Sequence, residues 1–215
     1  MGGAGQLPGE VARVGAHGHL AAGTSALRQA GQRTAQQPGR GSPRVAFRPA
    51  LAMSLNNLSL RLADLGRPED ALTAIDEAVT IRRELAAARP DAFRPGLANS
   101  LNNLSARLAD LGRPEDALTA IDEATRTYRE LAAARPDAFR PALAMSLNNL
   151  SNQLAGLGRP EDALTAIDEA VTIRRELAAR WPDAYHHELE QSLRAAARLE
   201  HGEDLNDASP RRPEQ

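Results

Sequence analysis

The tetrapeptide LNNL occurs three times, and its second asparagine falls at Asn57, Asn103 and Asn149, a constant spacing of 46. A carboxamide offers two donors and one acceptor oxygen. A row of them can therefore pair with both polar groups of an extended peptide backbone. That is the chemistry of recognition rather than of bond-breaking. Few other residues invite a catalytic reading. The histidines are His17, His19, His186, His187 and His201. His17 and His19 lie in a glycine-rich stretch, and His186 and His187 are adjacent, so on a helix they point in different directions, which is poor metal-ligand geometry. Solvated surface is the expected role, with no metal and no cofactor. The carboxylates Glu69 and Asp70 recur in every copy, which suits helix starts better than a single active site. There is no cysteine, hence no thiolate chemistry. No Ser/His/Asp spacing or phosphate-binding glycine loop appears. Asn57-Leu58-Ser59 and its two copies match a glycosylation sequon, read here as chance.

The elements that must position the asparagines come from one repeated stretch. Residues 47–92, 93–138 and 139–184 carry nearly the same text, and Tyr185 opens a fourth copy that soon degrades. A fixed period of this length marks a repeat array whose units cannot bury their apolar faces alone. Each unit reads as two helices. The first is expected from about Pro49 to Leu65, with proline in its opening turn. Leu51, Leu55, Leu58, Leu62 and Leu65 fall on one narrow apolar stripe at about 100° per residue. Gly66 stops the helix. Pro68 opens the second helix, which runs to about Ala88 with Ala71, Ile75, Ala78 and Leu85 on one side. Ala71 and Ala78, seven apart, let the two helices approach closely. Pro90 and Asp91 then end it, and ARPDAFRP is expected to be a loop, with Phe93 under the junction.

Opposite the leucine stripe lies a second one: Met53, Asn57, Leu60 and Asp64 in the first copy, Asn99, Asn103, Ala106 and Asp110 in the second, Met145, Asn149, Asn152 and Gly156 in the third. The first copy differs from the second at seven of 46 positions and from the third at five. On the first helix, three of the five varying positions lie on this stripe, while its central asparagine is constant. A constant polar row flanked by changing side chains suits a surface that holds a backbone and reads side chains. Drift at exposed sites, with asparagines bonding one another across copies, is the other reading.

The unit resembles the tetratricopeptide repeat. Leu55, Leu58 and Ser59 stand at the family's large residue and Leu-Gly pair, Leu62 at its aromatic position, Leu65 and Gly66 at the turn, and Ala71, Ile75 and Ala78 on the second helix. The match recurs at Leu101, Leu104, Leu108, Ala117, Ile121 and Ala124, and at Leu147, Leu150, Leu154, Ala163, Ile167 and Ala170. The unit is longer than usual, with Arg83 where the family closes on proline. That length and the LNNL opening look more like kinesin-light-chain-type repeats. The resemblance implies an all-α, right-handed α-solenoid, a non-catalytic scaffold whose second stripe lines a concave groove for an extended peptide or a partner helix.

Residues 1–46 are rich in Gly, Ala, Gln, Arg and Pro and carry no core pattern, so disorder is expected, with a weak helix around Leu20 to Gln37. The fourth copy, 185–201, reads as a capping helix because Ala196 and Glu200 replace leucines of the stripe; 202–215 reads as a charged tail. Net charge is −2, which gives no pull on nucleic acid or an anionic membrane. No apolar run approaches the roughly 20 residues of a membrane span, and no secretory signal is visible, so a cytoplasmic protein is the default. All 26 basic residues are arginine, which with abundant alanine suggests a high-GC bacterial coding bias. The expected partner is a protein or peptide. Self-association is a second possibility, because the first copy lacks a polar cap. A repeat-bearing fragment of a larger signalling or regulatory protein is a third.

Overall fold

The computed structural model describes residues 43–201. Seven helices and no strands occur among them: α1 Pro43–Asp64, α2 Pro68–Ala88, α3 Pro90–Asp110, α4 Pro114–Ala134, α5 Pro136–Gly156, α6 Pro160–Arg180 and α7 Pro182–Glu200. From α2 onward each helix packs on the next in chain order, and α3 also touches α5. This is an α-solenoid of helix-turn-helix units.

Within a unit the turn is short and its chemistry is clear. Gly66, Gly112 and Gly158 have φ of 69°, 68° and 69°, a left-handed conformation that costs other residues roughly 1–2 kcal/mol. The Arg67 amide reaches back to the Leu62 carbonyl at 2.9 Å, satisfying a carbonyl that the helix end would leave bare. Arg67, at the N-cap of α2, lies 2.7 Å from Asp70, and Arg113–Asp116 and Arg159–Asp162 repeat the arrangement. Glu69 and Asp70 thus sit in a first helical turn.

Between units the expected loop is absent. Only Arg89, Arg135 and Trp181 interrupt the helices, so ARPDAFRP is helical on both sides of one residue. Pro90 takes the first helical position, where a missing N–H costs nothing, and Pro95 lies inside α3, deleting one ladder bond. The restart is held by side chains. Arg89 stacks over the Phe93 ring at 4.9 Å, and Phe93 packs against the core. The first helix, α1, begins at Pro43 rather than at Pro49, so residues 43–46 are helical. The rest of the N-terminal segment, including Leu20 to Gln37, and the 202–215 tail lie outside the described residues.

The core follows the repeated apolar positions. Ala71, Ile75 and Ala78, with their counterparts Ala117, Ile121, Ala124, Ala163, Ile167 and Ala170, are fully buried, so alanine sets a close helix approach. The serines at the family's small-residue position, Ser59, Ser105 and Ser151, are buried too. The leucine stripe is buried on α3 and α5, but α1 departs from it. Leu51 and Leu58 are 46% and 48% exposed, whereas Leu97 and Leu104 are 9% and 8%. On α3 that side of the stripe faces the preceding unit. On α7 the opposite side is open. Leu193, in the register of the stripe's Leu55, Leu101 and Leu147, is 38% exposed, and the helix instead buries Ser192, Ala195, Ala196 and Leu199.

Candidate functional site

On α3, where the leucine stripe is buried, the side chains at about 80° to 140° from it are buried too, namely Ala98, Asn102 and Ser105, and so are their α1 counterparts Ala52, Asn56 and Ser59. A first helix therefore buries a wide arc and leaves one strip open, the strip opposite the leucines. Met53, Asn57, Leu60 and Asp64 on α1, Asn99 and Asp110 on α3, and Met145, Asn152 and Gly156 on α5 are exposed. Asn103, Ala106 and Asn149 are half-buried. The twelve residues share one face of three first helices.

These helices are tied side by side by a polar ladder. Asn103 Nδ2 donates to Asn56 Oδ1 at 3.1 Å, and Ser100 Oγ donates to the same oxygen at 2.9 Å. One unit on, Asn149 Nδ2 donates to Asn102 Oδ1 at 3.3 Å. At the next step Ser192 Oγ donates to Asn148 Oδ1 at 3.0 Å. In each LNNL the first asparagine accepts from the next first helix, and in the second and third copies the second asparagine donates to the preceding one. The constant row is thus partly built into the array, with asparagines bonding one another across copies. Each of Asn103 and Asn149 retains a second N–H and its oxygen; Asn57 keeps its whole carboxamide. Asn56, Asn102 and Asn148 are the residues that the stripe pattern missed. Their signal was the repeated doublet itself.

Other members of the strip are anchored locally. Asp64 lies 3.5 Å from Arg61 and Asp110 3.2 Å from Arg107. In the third unit Gln153 and Gly156 replace both partners at once, so the pair is lost without stranding a charge. Tyr128 of α4 is buried; burial, opposed by the Asn99 carboxamide and by the charge of Arg82, pushes its phenol up from its ordinary value. Arg174 of α6 is buried. It donates to Asn148 Oδ1 at 3.3 Å, to the Glu188 carbonyl at 2.9 Å and to Ser192, and burial lowers its pKa. His186 sits 3.4 Å from Glu190, and His187 contacts Gln191. No group of three metal-ligating side chains occurs among the described residues, and none of their helices is long and apolar enough to cross a membrane.

Residues 51–88, 97–134 and 143–179 match the family model described as Tetratricopeptide repeat. The chain belongs to the tetratricopeptide repeat family. Its tetratricopeptide units end before α7, which lies outside the matched stretches. The crystal structure of BtubC (BKLC) from P. vanneervenii is similar in fold, with a TM-score of 0.52 and 18% identity over 92% of this chain and 80% of that one. Two crystal structures of kinesin-light-chain TPR-like repeats from Podosopora anserina have TM-scores of 0.48 and 0.47. Each is 14% identical, over 86% and 90% of this chain and 88% and 91% of theirs. No curated protein sequence matches the chain.

Proposed function

We propose that the open face of α1, α3 and α5 binds an extended peptide or partner helix. The observation that carries this reading is where variation falls. Copies that are otherwise nearly identical change at Met53, Asn99 and Met145 and at Leu60, Ala106 and Asn152, and Met53, Leu60 and Met145 present 55%, 39% and 40% of their surface to solvent. Apolar side chains held on a rigid exposed strip are the usual anchors of an interface. The remaining N–H and oxygen of the asparagine row are left for a peptide backbone. The test is a random linear peptide library screened on the parent and on Met53→Asp/Leu60→Asp. Peptides enriched by the parent should be lost by the double variant at an unchanged melting temperature. Enrichment that survives the substitutions sinks the reading.

A second reading, self-association through α1, is favoured by the exposure of Leu51 and Leu58. In that case the mass measured by light scattering rises with concentration, and Leu51→Glu/Leu58→Glu returns it to that of a monomer. A concentration-independent mass in the parent removes it.

A further inference from the structure

The first and the last described units are complementary, beginning with their apolar surfaces. On α3 and α5 the side chains of Leu97, Leu104, Leu143 and Leu150 are buried, and α3 is seated on α2. Leu51 and Leu58 hold the same register on α1 and are exposed. At the other end, residues 160–179 of α6 repeat residues 68–87 of α2 without a change. The seat that α2 gives to α3 is taken on α6 by α7. α7 fills it with less: Ala195 and Ala196 stand where α3 has Asn103 and Leu104. α1 has Asn57 and Leu58 at those two positions.

Charge repeats the pattern. Arg83 of α2 pairs with Glu123 of α4 at 2.5 Å, and Arg129 of α4 pairs with Glu169 of α6 at 2.5 Å. The same two registers continue to Glu77 on α2 and Arg175 on α6. Both are exposed, and neither has an ion-pair partner among the described residues. The polar ladder is open in the same sense. Asn103 and Asn149 donate to asparagines of the preceding unit, whereas Asn57 has its carboxamide free for one. Asn148 accepts from Ser192 and Arg174 in place of an asparagine.

We infer that α7 is a displaceable cap and that α1 of a second copy of this chain takes its place on α6. The junction repeats the α2–α3 contact that each molecule already contains. It sets Leu51 and Leu58 against α6, Glu77 beside Arg175 of the other copy, and Asn57 as donor to Asn148 of the other copy. The inference rests on the self-association reading above and adds to it the surface that α1 meets and the element that guards it. Such a contact is heterologous: each joined pair leaves one α1 and one α6 face unused, so it propagates as an open series. Two opposing effects set the balance. α1 buries more apolar surface on α6 than α7 does. α7 has the advantage of belonging to the same chain, which gives it a high effective concentration. Assembly is therefore driven by concentration and by whatever loosens α7.

The experiment is light scattering of the full chain over a range of concentrations, with circular dichroism as the check on folding. The parent's mass should rise with concentration and pass that of a dimer. Ala196→Glu puts a carboxylate into the α6–α7 contact and should bring the rise to a concentration about tenfold lower. Adding Leu51→Glu/Leu58→Glu to that variant should return it to a monomer. Two exposed substitutions test the seat without disturbing α7. Glu77→Arg and Arg175→Glu should each weaken association about threefold, and both in one chain should restore it, because the pair then meets with its signs exchanged. Association that stops at a dimer and ignores both charge reversals places α1 on α1; it overturns the inference and leaves self-association through α1 standing. The mass of a monomer at every concentration, in the parent and in Ala196→Glu, removes both and leaves the exposed leucines to a different protein.

Discussion

Asn103 of α3 donates to Asn56 of α1 across 3.1 Å, while Asn57, the same register one unit earlier, is exposed. One sequence motif therefore holds two energetic positions. Asn102 is buried, accepts from Asn149 and donates to the Ala98 carbonyl at 3.3 Å. Asn102→Ala removes those bonds and strands the Asn149 nitrogen, so it should cost about 1–3 kcal/mol. Asn57→Ala should stay within about 0.5 kcal/mol. Urea denaturation of the two variants checks the contrast; equal midpoints would mean that the ladder does not couple the units.

Spacing made the array legible. Five leucines in each unit and two alanines seven apart on each second helix marked two helices per unit and the face each buries. The boundary between units was not legible. Pro90, Asp91 and Pro95 together look like a loop, yet proline is harmless at a first helical position and Phe93 packs on the core, so the chain restarts at once. The ladder was hidden for another reason. Asn56 and Asn57 are neighbours in sequence but point about 100° apart on a helix, one forward and one back along the array. The stripe opposite the leucines contains only the second. Exposure of Leu51 and of Leu193 was legible only in part, because the same side chain is core or surface according to which side of its helix has a neighbour.

Ala117 is fully buried on α4 and stands where the unit's two helices come close. Ala117→Leu adds three carbons that have no room there. Overpacking of this kind costs about 1–3 kcal/mol. A melting temperature equal to the parent's would show that this contact is loose.

Two glycines offer opposite outcomes. A Cβ at Gly112 or at Gly156 would meet nothing within 4 Å, so neither substitution clashes. Gly112 has φ of 68°, and Gly112→Ala should destabilise by roughly 1–2 kcal/mol through backbone strain alone. Gly156 closes α5 without a positive φ, and Gly156→Ala should stabilise by up to about 1 kcal/mol. Thermal melting of the pair separates conformational strain from packing; a shared sign would contradict this assignment.

Tyr128 supplies a pH dependence with a definite sign. It is buried on α4, in the register of Arg82 and Arg174. Burial raises its pKa above the ordinary value of 10.0, and the Asn99 carboxamide and the charge of Arg82 oppose that rise without cancelling it. Between the unfolded and the folded pKa, the unfolded chain has lost the phenol proton and the folded one has kept it. The unfolded state then binds fewer protons, so stability falls as pH rises. The loss should begin near pH 10, where the unfolded phenol titrates; at neutral pH Tyr128 adds no slope. Tyr128→Phe removes the titrating group and the polar partner it offers Asn99 together. It should be less stable than the parent by about 1 kcal/mol at neutral pH, and its stability should fall less steeply in alkali. Urea denaturation of both proteins across the alkaline range decides it: parallel curves would show that the buried phenol is not the group that links stability to pH.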